Sequence, residues 1–235
     1  MRVVIVISTL ILVGVLTAPA YAEDPAVGYT LDYTSKYIWR GWDLTPNDNS
    51  AVQPGVSYST GSMEFGYWSS FAVSNRNELS SLDEFDVYFS YSSSLGETTE
   101  YSVGMTYYSW LNSENFNFGD FATPEPFITV ADSRVPYGLS LGVYYDLNLG
   151  DGVYVQASGG HSMSFSERVV DLSISVGYNG GQWDADAGIS DIVLSAGSSF
   201  DFSFGSLSPA VNYAIIPDEN ISAENKLWFT LGFGR

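Results

Sequence analysis

The sequence predicts an all-β protein, an antiparallel up-and-down transmembrane β-barrel of about 12 strands, with about 10 or 14 left open by the turn pattern. Three observations predict it. Apolar and polar residues alternate with period two over long stretches, short glycine-containing turns alternate with longer polar loops, and an export segment precedes both.

The export segment comes first. Met1 and Arg2 lead an apolar run from Val3 to Leu16, which stops before Pro19 and the small-residue pattern Ala20-Tyr21-Ala22. The run is shorter than the roughly 18–20 residues of a spanning helix, and Glu23 and Asp24 follow it, so residues 1–22 are expected to be a cleavable signal peptide. Glu23 and the absence of cysteine exclude a lipoprotein anchor and a disulfide framework. No linker, charge block or composition break divides the remainder, so residues 23–235 are expected to form one domain, the barrel.

The strands follow in order. Phe85, Val87, Phe89 and Tyr91 oppose Asp86, Tyr88, Ser90 and Ser92, and Tyr101, Val103, Met105 and Tyr107 continue the pattern. The longest run places Tyr137, Leu139, Leu141, Val143, Tyr145, Leu147 and Leu149 on one face, with Gly138, Ser140, Gly142, Tyr144, Asp146 and Asn148 on the other. Val170, Leu172, Ile174, Val176 and Tyr178 repeat it, as do Leu227, Phe229, Leu231 and Phe233. No helical spacing reproduces this alternation. Residues 125–134 fit least well, since Pro124, Pro126 and Pro136 suit an edge, a bulge or a loop extension better than a paired central strand.

Short turns are expected at Thr60-Gly61, Leu95-Gly96-Glu97, Gly150-Asp151-Gly152, Gly180-Gly181 and Gly205-Ser206. Longer loops are expected at about 43–50, 75–82, 112–124, 162–167 and 217–225, and one more near Ser190-Asp191, where the alternation breaks. That loop keeps both termini on one side.

A soluble sandwich would bury the apolar face, whereas a membrane barrel turns it to lipid. The barrel is favoured because the polar faces hold Gly, Ser, Thr and Asp with almost no Lys. Aromatic residues such as Tyr91, Tyr137, Tyr178 and Trp39 also sit where an interfacial girdle would place them. Lys and Arg number 8 against 27 Asp and Glu, a net charge of −19 that becomes one unit more negative once Arg2 leaves with the signal. Such a chain has no basic patch for nucleic acid, and 45% hydrophobic and 16% aromatic content argues against disorder.

One stretch carries a family resemblance: Thr34-Ser35-Lys36-Tyr37-Ile38-Trp39-Arg40-Gly41 and, after a short loop, Ala51-Val52-Gln53-Pro54-Gly55-Val56-Ser57-Tyr58. It is similar to the opening hairpin of the TorF family of porins, departing from it at Ser50, where that family has proline, and at Pro54, where it has glycine. The resemblance implies an outer-membrane porin and names no substrate. Phe233 stands in the phase of the terminal aromatic that barrel-assembly machinery recognises, but Gly234 and Arg235 follow it.

Strand parity assigns ten acids to the lumen: Asp32, Glu64, Glu84, Asp86, Glu100, Asp146, Asp171, Asp184, Asp186 and Asp201, opposed by Lys36 and Arg40. Two readings stay open. Carboxylates around a water-filled lumen favour cations, whereas rim acids that are solvated or paired with Arg40 fix the barrel without conducting. Bulky inward residues such as Tyr88, Tyr108, Tyr144, Tyr154 and Trp228 decide whether the lumen closes.

Chemistry has little to stand on. A lipid hydrolase of the outer face places Ser two residues after His, and here His161 is followed by Met163 at that position, with Ser162 on the opposite face, Ser164 out of phase and Glu167 near. With one His and no Cys, no cofactor or metal site is expected. Loop acids Asp48, Glu78, Glu114, Asp120, Asp218 and Glu219 form a solvated surface or hold divalent cations against lipopolysaccharide. Expected partners are outer-membrane lipid and lipopolysaccharide, the assembly machinery and small solutes. Three functions follow in order: a passive diffusion channel with cation preference, a non-conducting structural or adhesive barrel, and a lipid hydrolase.

Overall fold

The computed structural model describes residues 22–110, 121–166 and 168–235. The signal-peptide expectation for 1–21, and Glu114, Asp120 and Glu167, lie outside the described residues. Twelve long strands form one closed antiparallel barrel: β1 (Ala22–Thr34), β4 (Ala51–Gly61), β5 (Met63–Ala72), β6 (Glu84–Leu95), β7 (Thr99–Ser109), β8 (Ala122–Asp132), β9 (Ser140–Asp146), β10 (Gly152–Phe165), β11 (Arg168–Asn179), β12 (Gly188–Gly197), β14 (Gly205–Ile215) and β15 (Lys226–Gly234). A two-stranded ribbon, β2 (Ile38–Trp39) and β3 (Trp42–Asp43), interrupts the order after β1, and a short strand β13 (Phe200–Phe202) precedes β14.

Each long strand pairs with its sequence neighbour, and β1 also pairs with β15, so that Thr30 faces Gly234 and Thr34 faces Thr230. Among the described residues, closure gives every one of the twelve long strands a partner on both sides, the condition for a sheet to stand in lipid. Side chains alternate as the sequence predicts. On β11, Leu172, Ile174 and Tyr178 are exposed on the outer face while Ser175, Gly177 and Asn179 are buried inward. Val27, Leu31, Val87, Phe89, Leu141, Val211 and Leu227 continue the apolar outer belt around the barrel. At the end carrying the chain termini, Phe233 packs against Tyr29 and Phe204 on the outer face, and Arg235 exchanges two 3.0 Å backbone hydrogen bonds with Tyr29.

The strand count agrees with expectation, but the path differs in two places that compensate. First, residues 122–132 form a paired strand, β8, bonded to β7 along its whole length and to β9 through Phe127–Ala131. The prolines are tolerated because of where they sit. Leu147 N donates to the Pro124 carbonyl at 3.0 Å, so residue 124 turns its backbone polar atoms toward β9, and Pro124 and Pro126 precede the stretch where that ladder is continuous. Second, Ser190-Asp191 is not a loop. It is a β-bulge in β12, where Gly177 faces Asp191 and Tyr178 faces Ile189, which turns both Ser190 and Asp191 inward.

The extra strand moves three connections to the opposite end. Gly150-Asp151-Gly152 and Gly180-Gly181 belong to the end with the longer loops, and the tight turn after Phe165 belongs to the end with short turns. We call these the loop end and the turn end.

Candidate functional site

The connection from β1 to β4 does not project from the barrel. It folds back into the lumen as the β2–β3 hairpin, with Ile38 paired to Asp43 and Trp39 to Trp42. Arg40-Gly41 is the two-residue tip, both residues in the left-handed region at φ 49° and 89°. This is the backbone sign that tight hairpin turns require, usually met by Asn-Gly. A Cβ on Gly41 would lie 2.9 Å from Ile221 Cγ2, so glycine is needed there for space as well as for backbone angle. Arginine at the other position costs about 1–3 kcal/mol in backbone strain, and its side-chain contacts must offset that.

Those contacts come from across the lumen. The Arg40 guanidinium donates to both Glu125 oxygens, Nη1 to Oε2 at 2.6 Å and Nη2 to Oε1 at 2.7 Å, and Nη1 also donates to Gln182 Oε1 at 2.7 Å. Gln182 Nε2 and the Tyr108 hydroxyl donate to Glu125 at 3.0 and 3.1 Å, so four hydrogen bonds satisfy the carboxylate. The guanidinium carbon lies 4.5, 5.0 and 4.2 Å from the ring centroids of Trp39, Tyr144 and Tyr154. Arg40 and Glu125 side chains are 4% and 1% exposed, so the pair is desolvated. Burial alone would lower the Arg40 pKa, but the charge of Glu125 and its hydrogen bonds outweigh this and hold it well above the ordinary value.

The rest of the hairpin meets the remaining wall. Tyr37 and Trp39 cluster with Trp68 on β5 and Tyr108 on β7, and the Tyr37 hydroxyl donates to Glu84 Oε2 at 2.9 Å. Ile38 packs into a separate cluster with Val193 of β12, Ala214 of β14 and Trp228 of β15, with Trp42 against both clusters. Lys226 reaches Asp43 at 3.5 Å. Contacts therefore reach the barrel wall on every side, and the hairpin occupies the cross-section of the lumen near the loop end. Toward the turn end many inward positions are small and partly exposed, as at Ser57, Ser90, Ser140, Ser158 and Ser173, while the Tyr88 and Phe127 rings lie over Gly66 and Gly104.

The predicted lumen residues divide accordingly. Asp32, Glu84 and Asp86 are buried on the inner wall, and Asp32 and Asp86 meet no side-chain donor among the described residues, the backbone of Phe233 lying by Asp32 and that of Ser109 by Asp86. Glu64, Glu100 and Asp171 stand half-buried on the inner face nearer the turn end, with Ser59 donating to Glu64 and Ser162 to Asp171. Asp146 is inward but committed, since it accepts from Thr123, Asn148 N and Gly150 N at 2.5, 2.9 and 2.9 Å and closes the β9–β10 loop.

Five of the predicted lumen residues, and Trp39 of the predicted girdle, lie elsewhere than the sequence predicts. Asp184 and Asp186 are exposed in the β11–β12 loop, Asp186 accepting from Asn220, and Asp201 is exposed on β13 at the turn end, accepting from Ser206. Lys36 starts the infolded segment and pairs with Asp48. Arg40 and Trp39 are inside the plug, not on the strand wall or in an outer girdle, because β1 ends at Thr34 and the chain turns inward there.

Glu125, Gln182 and Asp191 escaped the sequence reading. The alternation Thr123, Glu125, Phe127, Thr129 against Pro124, Pro126, Ile128, Val130 was the available signal for Glu125. Of the bulky inward residues, Tyr108, Tyr144, Tyr154 and Trp228 are buried in the loop half, and Tyr88 folds over Gly66. His161 lies on the outer face of β10, edge-on to Tyr137 at 5.9 Å and in phase with exposed Met163. Among the described residues, no three His, Cys, Asp or Glu side chains converge to hold a metal.

Solved structures share this architecture. The chain is similar to a KdgM porin in complex with disordered oligogalacturonate, at 11% identity and a TM-score of 0.51, over 90% of this chain and 98% of that one. It is likewise similar to the NanC porin, at 9% identity and a TM-score of 0.54, over 88% and 98%. At such identities the likeness is one of fold. No curated protein matches the sequence. A family profile described as "Bacterial protein of unknown function (Gcw_chp)" matches residues 21–214, and the chain therefore belongs to the Gcw_chp family.

Proposed function

We propose that this protein is an outer-membrane channel for passive diffusion of small solutes, preferring cations, and closed at rest by its own β2–β3 hairpin. The apolar outer belt on a closed barrel supports a place in lipid, and the expected signal peptide and TorF-like stretch support the outer membrane. The observation that carries the reading is the hairpin itself. It obstructs the loop half of a lumen whose turn half is lined mostly by small polar residues and by Glu64, Glu100 and Asp171, with Tyr88 the bulkier inward side chain lying over Gly66. A strained, ion-paired insert is a removable obstruction, unlike side chains packed along the full length of a small barrel. Asp32, Glu64, Asp86 and Glu100 on the inner wall support the preference for cations.

The experiment compares wild type with a variant whose residues 36–48 are replaced by a Gly-Ser linker, both refolded into planar bilayers under a salt gradient. Wild type is expected to be silent or to open rarely, and the variant to show discrete steady conductance with a cation-selective reversal potential. Large steady conductance from wild type would refute the plug. A folded, heat-modifiable variant that stays silent would refute the channel and favour the structural barrel, a reading to which the fully satisfied Arg40–Glu125–Gln182 lock lends its own support.

A further inference from the structure

The Arg40 contacts divide into those that leave with the hairpin and those that stay with the wall. Trp39 belongs to the hairpin. Glu125 on β8, Tyr108 on β7, Tyr144 on β9, Tyr154 on β10 and Gln182 in the β11–β12 loop belong to the wall, held by the barrel whether or not the hairpin is docked. Gln182 is fixed independently, its backbone N donating to Asn179 Oδ1 at 2.6 Å and its carbonyl accepting from Asn179 Nδ2 at 3.1 Å. Tyr154 is also fixed, its hydroxyl donating to Asp191 at 3.0 Å while its ring end lies against Gly177, where a Cβ would come within 2.2 Å of the hydroxyl oxygen.

Without Arg40 the wall would present a buried carboxylate, a second oxygen acceptor beside it and two tyrosine faces. This combination matches a flat cation with paired N–H donors: the fork meets the carboxylate, the third acceptor takes another N–H, and the rings cover the plane. A spherical ammonium would use only part of it. The box lies in the same half of the lumen as buried Glu84, Asp86 and Asp191, and its carboxylate, Glu125, is the one that Arg40 neutralises directly.

We propose that the Glu125–Gln182–Tyr144–Tyr154 box is a binding site for guanidinium-bearing solutes, which Arg40 occupies as a tethered stand-in. The inference rests on the channel reading for its route of entry, from the turn end, but not for its chemistry. A free guanidinium compound competes with Arg40 for the box, and its binding holds the hairpin undocked.

The test uses refolded full-length Arg40→Ala and N-ethylguanidinium at millimolar concentration, well below denaturing levels, with N-ethylammonium at equal ionic strength as the reference. Unfolding is followed by heat modifiability. At ten times its dissociation constant the probe should shift the unfolding equilibrium of Arg40→Ala about tenfold, and it should do so in neither wild type nor Arg40→Ala/Glu125→Gln. Equal effects of the two probes, or an effect that survives Glu125→Gln, would overturn the site. If Arg40→Ala folds only when the probe is present, that is the rescue itself.

If Arg40→Ala folds under neither condition, wild-type channel recordings decide. N-ethylguanidinium added from the turn side should raise opening frequency over N-ethylammonium, and no difference would overturn the site. Rescue of Arg40→Ala in a barrel whose hairpin-replaced variant never conducts would retain the site and discard the channel.

Discussion

Replacing Glu125 with alanine tests whether the ion pair holds the plug. The substitution removes both fork bonds, at 2.6 and 2.7 Å, and leaves the guanidinium with Gln182 Oε1 and three ring faces. Removing one partner of a buried pair costs about 3–5 kcal/mol, which lowers the docked population about 150- to 5,000-fold relative to a state where water reaches Arg40. The left-handed backbone at Arg40 adds to the bias, since its strain is no longer offset by a full set of contacts. Glu125→Gln keeps the shape and loses the charge, and should fall between the two, at about 1.5–3 kcal/mol.

Limited trypsin digestion reads the outcome at one bond. Arg40 is buried in wild type and should resist, whereas in Glu125→Ala cleavage after Arg40 should approach the rate at Arg134, which lies in an exposed turn and serves as internal reference. Bilayer recordings should show the same variant opening more often. If Glu125→Ala folds and remains as resistant at Arg40 as wild type, the ionic lock is not what holds the hairpin. The apolar packing of Ile38 and Trp42 would then be the principal anchor.

Three other expectations follow. Gly66→Ala places a Cβ 2.1 Å from the Tyr88 ring, which must swing away, so the barrel should lose about 1–3 kcal/mol in urea titration in lipid, recovered in Gly66→Ala/Tyr88→Ala. Ile174→Arg, mid-strand on the outer face of β11, should cost about 2–4 kcal/mol in lipid refolding, and Val170→Arg, on the same face near the rim, about 0–1 kcal/mol; equal small costs would contradict a lipid-facing belt. N-terminal sequencing of protein isolated from outer membranes should begin at Glu23, and retention of residues 1–22 would reject the signal-peptide expectation.

The closed barrel and its inside–outside polarity were legible because alternation is a local property: each residue's face follows from its neighbours' faces along the strand. The Arg40–Glu125 pair was not, because 85 residues separate its members and no spacing rule connects them. The motif Tyr37-Ile38-Trp39-Arg40-Gly41 stood out in the sequence but was read as barrel wall, since an aromatic and apolar run fits a wall strand as well as an insert. Prolines made β8 look unpaired, and only the actual pairing shows that Pro124 and Pro126 precede the continuous β8–β9 ladder, which runs from Phe127 to Ala131.

What the sequence by itself determined is therefore the class and, along most strands, which residues face outward, both consequences of a two-residue period; the twelve strands it counted were divided differently along the chain. What only the tertiary structure decided is which connection turns inward and what it meets there. A barrel has one interior shared by all its strands, so a single residue such as Arg40 can touch β8, β9 and β10 at once, a relation that depends on closure and on no segment alone.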